Sequence, residues 1–171
     1  MKKNKKIILV TGVAGMLGSE LVSNLVKKKN YIIIGIDNFT LGKKQFIKKF
    51  LNNNKFNFFN IDLSKKVKNR KLINLLHKNI LDEVWHLAAN SDIRGFVNGP
   101  NIDLNNTFLT TVNICKLMEI LGIKNIIFAS SSAVIGNTEK PISESFGPSL
   151  PISYYGAMKL ASEAQCFSAY E

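Results

Sequence analysis

The sequence predicts an α/β fold in which about five parallel strands form one doubly wound sheet with helices on both faces. Short runs of β-branched residues alternate along the chain with longer amphipathic segments, and a glycine-rich turn joins the first run to the first such segment. Strands separated by helices require crossover connections, which make neighbouring strands parallel. A length of 171 residues matches one domain and is sufficient for a buried core. Such a sheet binds its ligands beyond the carboxyl ends of its strands, where the strand order reverses.

Each strand is predicted from a short apolar run, and each helix from apolar residues at helical spacing. The unbroken apolar run 7–10 is typical of a strand buried on both faces. The predicted strands are 6–11, 31–36, 56–61, 83–88 and 126–130. The predicted helices are 16–29, 43–51, 64–78 with Ser64 as N-cap, 98–121 ended by Gly122, and a last one from about Ser153 to the chain end. No repeat or linker divides the chain, so 1–171 is predicted to be one domain.

The composition is that of a globular chain with a basic surface. Hydrophobic residues make up 46% and charged residues 20%, and the formal net charge is +11. Because the lysines are scattered and only two residues are arginine, we expect a solvated surface rather than a nucleic-acid interface. No stretch approaches the ~18–20 apolar residues of a membrane span. Cys115 and Cys166 are too few for a disulfide framework and lack metal-ligand spacing, so we expect reduced thiols, no metal and a cytoplasmic location.

The turn between the first strand and the first helix, TGVAGMLG, has the glycine spacing of a dinucleotide-binding loop. Gly12 allows a tight turn, Gly15 lets a diphosphate approach the backbone, and Gly18 allows the helix to pack closely on the sheet. Met16 and Leu17 lie in the first turn of that helix, whose unpaired N–H groups can bind phosphate oxygens. The strand before the turn and the helix after it make this signal stronger than three glycines alone.

Asp37 directly follows the second predicted strand, nineteen residues after Gly18. A carboxylate at this point can accept hydrogen bonds from both ribose hydroxyls of an adenosine and repel a 2′-phosphate, which favours NAD over NADP. Lys43 and Lys44 follow closely in the sequence and weaken the exclusion of NADP.

The next two strand ends carry weaker signals. Asp62 can accept a hydrogen bond from an adenine amino group while Leu63 packs on the ring, but Asp62 can equally begin the next helix. His86 is predicted to be a packed core histidine rather than a ligand or a base. The small residues after it leave room for a cofactor to approach the backbone, in the run Leu87-Ala88-Ala89.

Tyr155 and Lys159 are four residues apart, which places both side chains on one face of the last helix. A nearby ammonium favours the phenolate, so we predict that the pKa of Tyr155 is lowered and that Tyr155 takes a proton from a substrate hydroxyl. Lys159 is also predicted to bind the nicotinamide ribose. The serine run 130–132, at the end of the fifth strand, can hydrogen-bond the same substrate oxygen.

Taken together, these motifs resemble the extended short-chain dehydrogenase/reductase superfamily, specifically its NAD-dependent sugar epimerase/dehydratase family. The resemblance covers nearly the whole chain and implies a Rossmann-type fold, NAD as cofactor and a nucleotide-sugar substrate. It rests on TGVAGMLG, IDNFTLGK, NIDL, HLAA, ASSSAVIG and YYGAMK. The residues that it implies for cofactor binding are Gly12, Gly15, Met16, Leu17, Gly18, Asp37, Asn38, Asp62, Leu63, Leu87, Ala88, Ala89, Tyr155 and Lys159.

The resemblance implies catalysis by transient oxidation to a keto sugar, with Ser131, Tyr155 and Lys159 as the catalytic residues. Ser131 is selected because it lies four residues before Ile135, where the family has an aromatic residue. The family's dehydratases carry an Asp-Glu pair directly after this serine and its decarboxylases keep the glutamate, whereas this chain has Ser132-Ala133. A nucleotide-sugar epimerase similar to UDP-glucose 4-epimerases is therefore preferred. A dehydratase or reductase of the same superfamily, or a non-catalytic nucleotide- or RNA-binding module, remains as the alternative.

The chain also departs from the family pattern, at Ile135, Tyr154, Thr107, Thr110 and Phe96. Family members are about twice as long and add a C-terminal substrate-binding region. We therefore expect a fragment or truncated product, or a chain whose missing half another chain supplies, that binds NAD but turns over sugar nucleotide poorly or not at all by itself. The resemblance further implies a homodimer formed through the helices 100–121 and 153–171.

Overall fold

The computed structural model describes residues 5–78, 81–92, 99–139 and 141–171. Within these residues, five parallel strands form one sheet in the order β3-β2-β1-β4-β5. The order reverses between β1 and β4, which creates a crevice beyond their carboxyl ends. The predicted doubly wound sheet is confirmed, with strands β1 (Lys6–Thr11), β2 (Tyr31–Asp37), β3 (Phe56–Asn60), β4 (Glu83–His86) and β5 (Ile126–Phe128).

Six α-helical segments occur in the described residues. Gly122, with φ +66°, ends the fifth of them, and the Ser153 hydroxyl caps the sixth by accepting a hydrogen bond from the Gly156 N–H at 3.0 Å. A π-helical segment (Leu104–Leu109) joins the fourth helix to the fifth. The helices are α1 (Met16–Leu25), α2 (Lys44–Ile47), α3 (Arg70–Lys78), α4 (Asn101–Asp103), α5 (Thr110–Leu121) and α6 (Tyr154–Tyr170).

The sheet is buried on both faces, because successive side chains of β1 point to opposite sides. Ile8 and Val10 pack into a cluster with residues of α1 and α2 on one face. Ile7 and Leu9 pack into a second cluster with residues of α3 and α5 on the other. This double burial explains why the first strand appears in the sequence as an unbroken apolar run.

Several predicted boundaries are wrong, most clearly that of α3. The helix begins at Arg70 rather than Ser64, because the Ser64 N–H and hydroxyl both donate to the Asp62 carboxylate and form a turn. The Asn69 side chain instead accepts from the Leu72 N–H at 3.0 Å. The other predicted helices and the last three strands are also shorter or interrupted. Residues 93–98, which include Phe96 and the predicted helix start at Asn98, lie outside the described residues.

No helix in the described ranges combines the length and the apolar character required to cross a bilayer. The described residues likewise contain no group of three or more His, Cys, Asp or Glu side chains arranged to hold a metal ion. Cys115 and Cys166 are free thiols, and a hydrogen bond joins their side chains between α5 and α6.

Candidate functional site

The turn between β1 and α1 is shaped by close backbone contacts. Gly12 has φ +71°, and a Cβ added to it would lie 2.9 Å from the Ala88 nitrogen at the end of β4. The Gly15 N–H donates to the Gly12 carbonyl at 3.1 Å. A Cβ on Gly18 would overlap that same carbonyl. Glycine at 12 and 18 is therefore required sterically, and the N-terminus of α1 opens into the crevice.

The crevice at this turn has a volume of about 350 Å³ and collects most of the residues predicted to bind a cofactor. Exposed Met16 and Leu17 form part of its wall at the start of α1. Asp62, Tyr155 and Lys159 do not belong to the lining. The predicted residues that line it are Gly12, Gly15, Met16, Leu17, Gly18, Asp37, Asn38, Leu63, Leu87, Ala88 and Ala89.

Asp37 is buried at the end of β2, and its carboxylate is held by backbone donors. Oδ2 accepts from the Ala14 N–H at 2.9 Å and Oδ1 accepts from the Phe39 N–H at 2.8 Å. Because each carboxylate oxygen has a further lone pair, both oxygens can still accept a ribose hydroxyl. The two N–H groups fix the orientation of the carboxylate in the crevice wall before any ligand binds.

Asp62 is engaged differently from the adenine contact predicted for it. Its Oδ1 accepts from the Ser64 hydroxyl at 2.7 Å, and Oδ2 lies 3.5 Å from the Lys65 ammonium. Partial burial raises the pKa of Asp62, but the hydrogen bonds from Ser64 and the Lys65 charge outweigh it and leave that pKa lowered. Asn38 donates to Asp62 over a long 3.5 Å, while Leu63 is buried against the crevice.

His86 is completely buried at the end of β4, which confirms the prediction of a core histidine. Burial, with a smaller contribution from the Lys159 charge, lowers its pKa to about 3. The ring is therefore neutral at physiological pH.

The three residues predicted to be catalytic meet where the end of β5 packs on α6. Lys159 is 2% exposed, and its Nζ donates to the Ala129 carbonyl at 2.5 Å. The same Nζ lies 4.6 Å from the ring centroid of Phe128 and 5.9 Å from that of Tyr155. The Ser131 hydroxyl lies close enough to the Tyr155 phenol to act on its pKa. The residues are thus brought together, while their catalytic roles stay predictions.

The predicted direction of the Tyr155 pKa is wrong for the chain as it stands. Burial raises this pKa, the Ser131 hydrogen bond lowers it, and the negative charge of Asp103 raises it further, so that the net shift is upward. Burial also lowers the pKa of Lys159 to about 8 against the raising effects of Cys166 and Glu163. The Lys159 ammonium is directed to Ala129 rather than to the phenol, which explains the difference.

Sequence reasoning missed Glu163, the next residue along the same face of α6. The Ser130 hydroxyl donates a short hydrogen bond to its Oε1. Three consecutive residues after β5 therefore contact α6 at positions four apart: Ala129 with Lys159, Ser130 with Glu163, and Ser131 with Tyr155. The spacing of Glu163 from Lys159 was the available signal, because i and i+4 share a helix face.

A second missed group surrounds the π-helical segment. Asn90 is buried and its side chain donates to Asp103 at 2.8 Å, while its backbone N–H donates to the Thr107 hydroxyl at 3.1 Å. The Thr110 hydroxyl donates to the Thr107 carbonyl at 2.7 Å. Two positions that depart from the family pattern, Thr107 and Thr110, are thus joined by hydrogen bonds beside the crevice.

A sequence profile described as the NAD dependent epimerase/dehydratase family matches residues 8–171 of this chain. The chain belongs to this family. The family resemblance predicted from the motifs is thereby confirmed, and NAD is the cofactor that the family's description names. Three features of the crevice fit a dinucleotide: the glycines of the turn between β1 and α1, the open N-terminus of α1, and the lone pairs of Asp37 that no backbone donor occupies.

Several relatives with assigned activities are UDP-sugar epimerases. A UDP-glucose 4-epimerase from Mycolicibacterium smegmatis is 29% identical over 157 residues, which are 91% of this chain and 48% of that protein. The UDP-glucuronic acid 4-epimerase of Bacillus cereus, solved with UDP-glucuronic acid and NAD, is 31% identical with a TM-score of 0.83 and covers 96% of this chain and 52% of its own. A UDP-glucuronic acid decarboxylase from Xenopus tropicalis is 27% identical over 172 residues, or 98% and 38% of the two chains. The chain spans about half the length of the curated relatives it matches.

Proposed function

We propose that this chain is the NAD-binding and proton-transferring part of a nucleotide-sugar epimerase, with a UDP-hexose as substrate and the sugar 4-hydroxyl as the reacting group. The observation that carries the proposal is the convergence of Ser131, Tyr155 and Lys159 on the same sheet edge as the glycine crevice. As in other doubly wound sheets, that edge is where ligands bind.

The crevice residues have distinct tasks in holding the dinucleotide. The N–H groups at the start of α1 bind the diphosphate, and Gly15 leaves the backbone free for its approach. The Asp37 carboxylate, fixed by Ala14 and Phe39, accepts the adenosine ribose hydroxyls. Leu63 provides an apolar surface for the adenine, while Asp62 contributes through its turn rather than directly.

When bound, NAD supplies a reversible hydride acceptor, so that a sugar alcohol can be oxidised and then reduced again on its other face. The chain's own residues handle the proton. Tyr155 takes the proton of the sugar hydroxyl and returns it, and the Ser131 hydroxyl aligns the sugar oxygen with the phenol. The Ser131 hydroxyl already lies beside the phenol, where it lowers the pKa of Tyr155 against the effect of burial.

Lys159 is proposed to favour the phenolate only when its charge is turned from Ala129 toward the phenol. With a pKa of about 8 it keeps most of its positive charge at neutral pH, and this charge is directed to the Ala129 carbonyl. Tyr155, whose pKa is raised, is therefore protonated in the cofactor-free chain. A ligand that breaks the hydrogen bond from Lys159 to the Ala129 carbonyl would allow the Lys159 ammonium to move toward the phenol and favour the phenolate.

The residues after Ser131 favour epimerisation over elimination. Sugar dehydration needs an acid and a base at neighbouring sugar atoms, and the resemblance places them at Ser132 and Ala133. Neither side chain is a carboxylate, so the residues present support proton transfer at a single hydroxyl.

The test compares Tyr155→Phe with Tyr154→Phe in the protein as the native organism produces it. Tyr155→Phe is expected to lower kcat for UDP-sugar epimerisation by about 100-fold or more, because proton transfer is lost, while native mass spectrometry still detects retained NAD. Tyr154, an exposed neighbour on the same helix, is the matched control and is expected to leave the rate unchanged. An unchanged rate in Tyr155→Phe would remove the proposed base, and wild-type protein that retains no NAD would remove the proposed cofactor site.

We also propose that two copies pair through the helices 100–121 and 153–171. Support comes from exposed apolar side chains on these helices, with Phe167 and Tyr170 at 68% and 80% exposure and Ile120 at 69%. A solution mass of one chain, measured by light scattering, would contradict the pairing.

A further inference from the structure

His86 occupies a position that its description as a core residue does not explain. Both of its ring nitrogens are hydrogen-bonded: Nδ1 to the Thr11 hydroxyl at 2.7 Å and Nε2 to the Thr111 hydroxyl at 3.0 Å. These partners belong to β1 and α5, while His86 itself ends β4. One buried ring therefore joins three elements at the point where the strand order reverses.

The direction of the hydrogen bond at Nδ1 follows from the other bonds of Thr11. Its Oγ1 accepts from the Leu87 and Ala88 N–H groups, each at 3.1 Å. These two bonds occupy both lone pairs, so the hydroxyl has only its hydrogen left for His86. Thr11 must donate to Nδ1, which is therefore unprotonated.

The bonds of Thr111 lead independently to the same tautomer. Its hydroxyl donates to the Thr107 carbonyl at 3.1 Å, so its oxygen can only accept from the ring. The hydrogen of His86 accordingly lies on Nε2. Two ends of the network, 100 residues apart in sequence, require one and the same protonation state.

The hydrogen bonds of Thr11 and His86 also lie beside the point where the two walls of the crevice come close together. Thr11 accepts hydrogen bonds from the N–H groups of Leu87 and Ala88. Gly12 approaches the backbone of these same two residues so closely that no Cβ fits between them. Gly12 and Ala88 both line the proposed cofactor crevice. A shift in the Thr11 hydroxyl would therefore change the separation of the two crevice walls.

We propose that His86 is a positioning residue: neutral and protonated on Nε2, it fixes the Thr11 hydroxyl so that the turn after β1 and the end of β4 keep one separation across the crevice. The functional part of this inference rests on the proposed NAD site. A second proton on the ring would make Nδ1 a donor toward an oxygen whose lone pairs are both occupied, and at least one of the bonds to Leu87 or Ala88 would be lost.

The surroundings of His86 favour the neutral ring. The charged group that acts on it is the Lys159 ammonium of α6, and the groups facing it from β1 and α5 are the uncharged Thr11 and Thr111. Complete burial is the larger cause that disfavours the imidazolium and the Lys159 charge is the smaller. Together, burial and this charge lower the pKa of His86 to about 3.

The tautomer can be observed directly, because the chain contains only two histidines. Long-range ¹H–¹⁵N correlation spectra of ¹⁵N-histidine-labelled chain distinguish the Nε2–H tautomer from the Nδ1–H tautomer and from imidazolium. His86 is expected to show the pure Nε2–H pattern, unchanged between about pH 5.5 and 8. His77, the other histidine, is exposed on α3 and gives a separate signal in the same spectra. An Nδ1–H pattern, or titration of His86 in this range, would overturn the inference.

The positioning role is tested by a matched pair at Thr11. Thr11→Ser keeps the hydroxyl and is expected to hold the NAD dissociation constant within about 3-fold of wild type. Thr11→Val keeps the shape but leaves Nδ1 and two N–H groups without a partner, and is expected to weaken NAD binding by about 10-fold or more. Leu76→Ala, a buried change in α3, destabilises the chain away from the crevice and should leave NAD affinity unaltered.

The outcomes separate this inference from the proposed function. If Thr11→Val lowers stability without changing NAD affinity, or if Thr11→Ser behaves like Thr11→Val, the network is structural only and the positioning role is rejected. The tautomer measurement requires no cofactor. A chain that binds no NAD would therefore defeat the proposed function, while the His86 spectrum would still decide the protonation state on which this inference depends.

Discussion

The two regions that form the candidate site are built in different ways. In the glycine turn after β1, the geometry is set by backbone atoms: five of the six residues of β1 are buried, and Gly12 and Gly18 are held by direct steric contact. At the β5–α6 edge, the strand has three residues, none of them fully buried. There the geometry depends on side-chain contacts between residues 129–131 and one face of α6.

This difference teaches which part of the site is preformed and which can be tuned. Close backbone packing offers one arrangement, because a displaced carbonyl has no other place to go. Side-chain hydrogen bonds and charges at a partly exposed edge have alternatives, and their strength depends on pH and on neighbouring ligands. We therefore expect changes in the glycine turn to act as all-or-none losses and changes at the β5–α6 edge to act gradually.

The largest effect is expected for Gly18→Ala. The added Cβ would overlap the Gly12 carbonyl, so α1 must move away from the sheet at a cost of about 3 kcal/mol or more in the free energy of unfolding. Urea denaturation measures this loss, and NAD binding should disappear with it. Gly122→Ala is the control: it faces open space and costs only about 1 kcal/mol for its positive φ. Equal effects of the two variants would contradict the steric account of the glycine turn.

A smaller effect, dependent on pH, is expected at Lys159. Its pKa is lowered from 10.5 to about 8, so between these values the unfolded chain binds the proton more tightly than the folded chain. Stability therefore rises with pH across this range, and burial of the ammonium destabilises the fold below about pH 8. In urea denaturation at pH 7 and pH 10, wild type is expected to gain about 2–3 kcal/mol relative to Lys159→Met. Parallel pH dependence in the two proteins would show that the buried charge carries no such penalty.

The smallest effects are expected from the Ser130–Glu163 contact. Ser130→Ala removes one partly exposed hydrogen bond and should cost about 0.5–1 kcal/mol of unfolding free energy. Glu163→Gln keeps the acceptor but removes a charge that raises the pKa of Lys159, so this pKa should fall below about 8 and the pH profile should shift downward. Glu119→Gln, exposed on α5, is the matched control. If it shifts the profile as much as Glu163→Gln, the effect is general rather than specific to the site.

The fold was predictable because its strongest signals are local. The apolar run of β1 and the glycine turn with its flanking strand and helix each depend on neighbours in sequence. Helix ends were less predictable where side chains had two possible uses. Ser64 has the chemistry of an N-cap, yet it donates to Asp62 and leaves α3 to begin at Arg70.

The helix face shared by two candidate site residues was predictable, but their electrostatics were not. The spacing of Tyr155 and Lys159 correctly placed them on one helix face, since that depends only on helical geometry. The direction of the Tyr155 pKa depends instead on burial and on Asp103, whose charge acts on the phenol from a different helix. Likewise Glu163 became notable only when the end of β5 was found against α6.

By itself, the sequence determined the order of strands and helices, the glycines of the turn and the face shared by the phenol and the amine, because each follows from the short-range geometry of the chain. Only the tertiary structure decided which hydrogens and charges these groups carry. Protonation is set by desolvation and by partners distant in sequence: burial keeps the ring of His86 neutral, threonines from β1 and α5 select its tautomer, and Lys159 is directed to a carbonyl after β5. Those partners become neighbours only when the crossovers close the sheet.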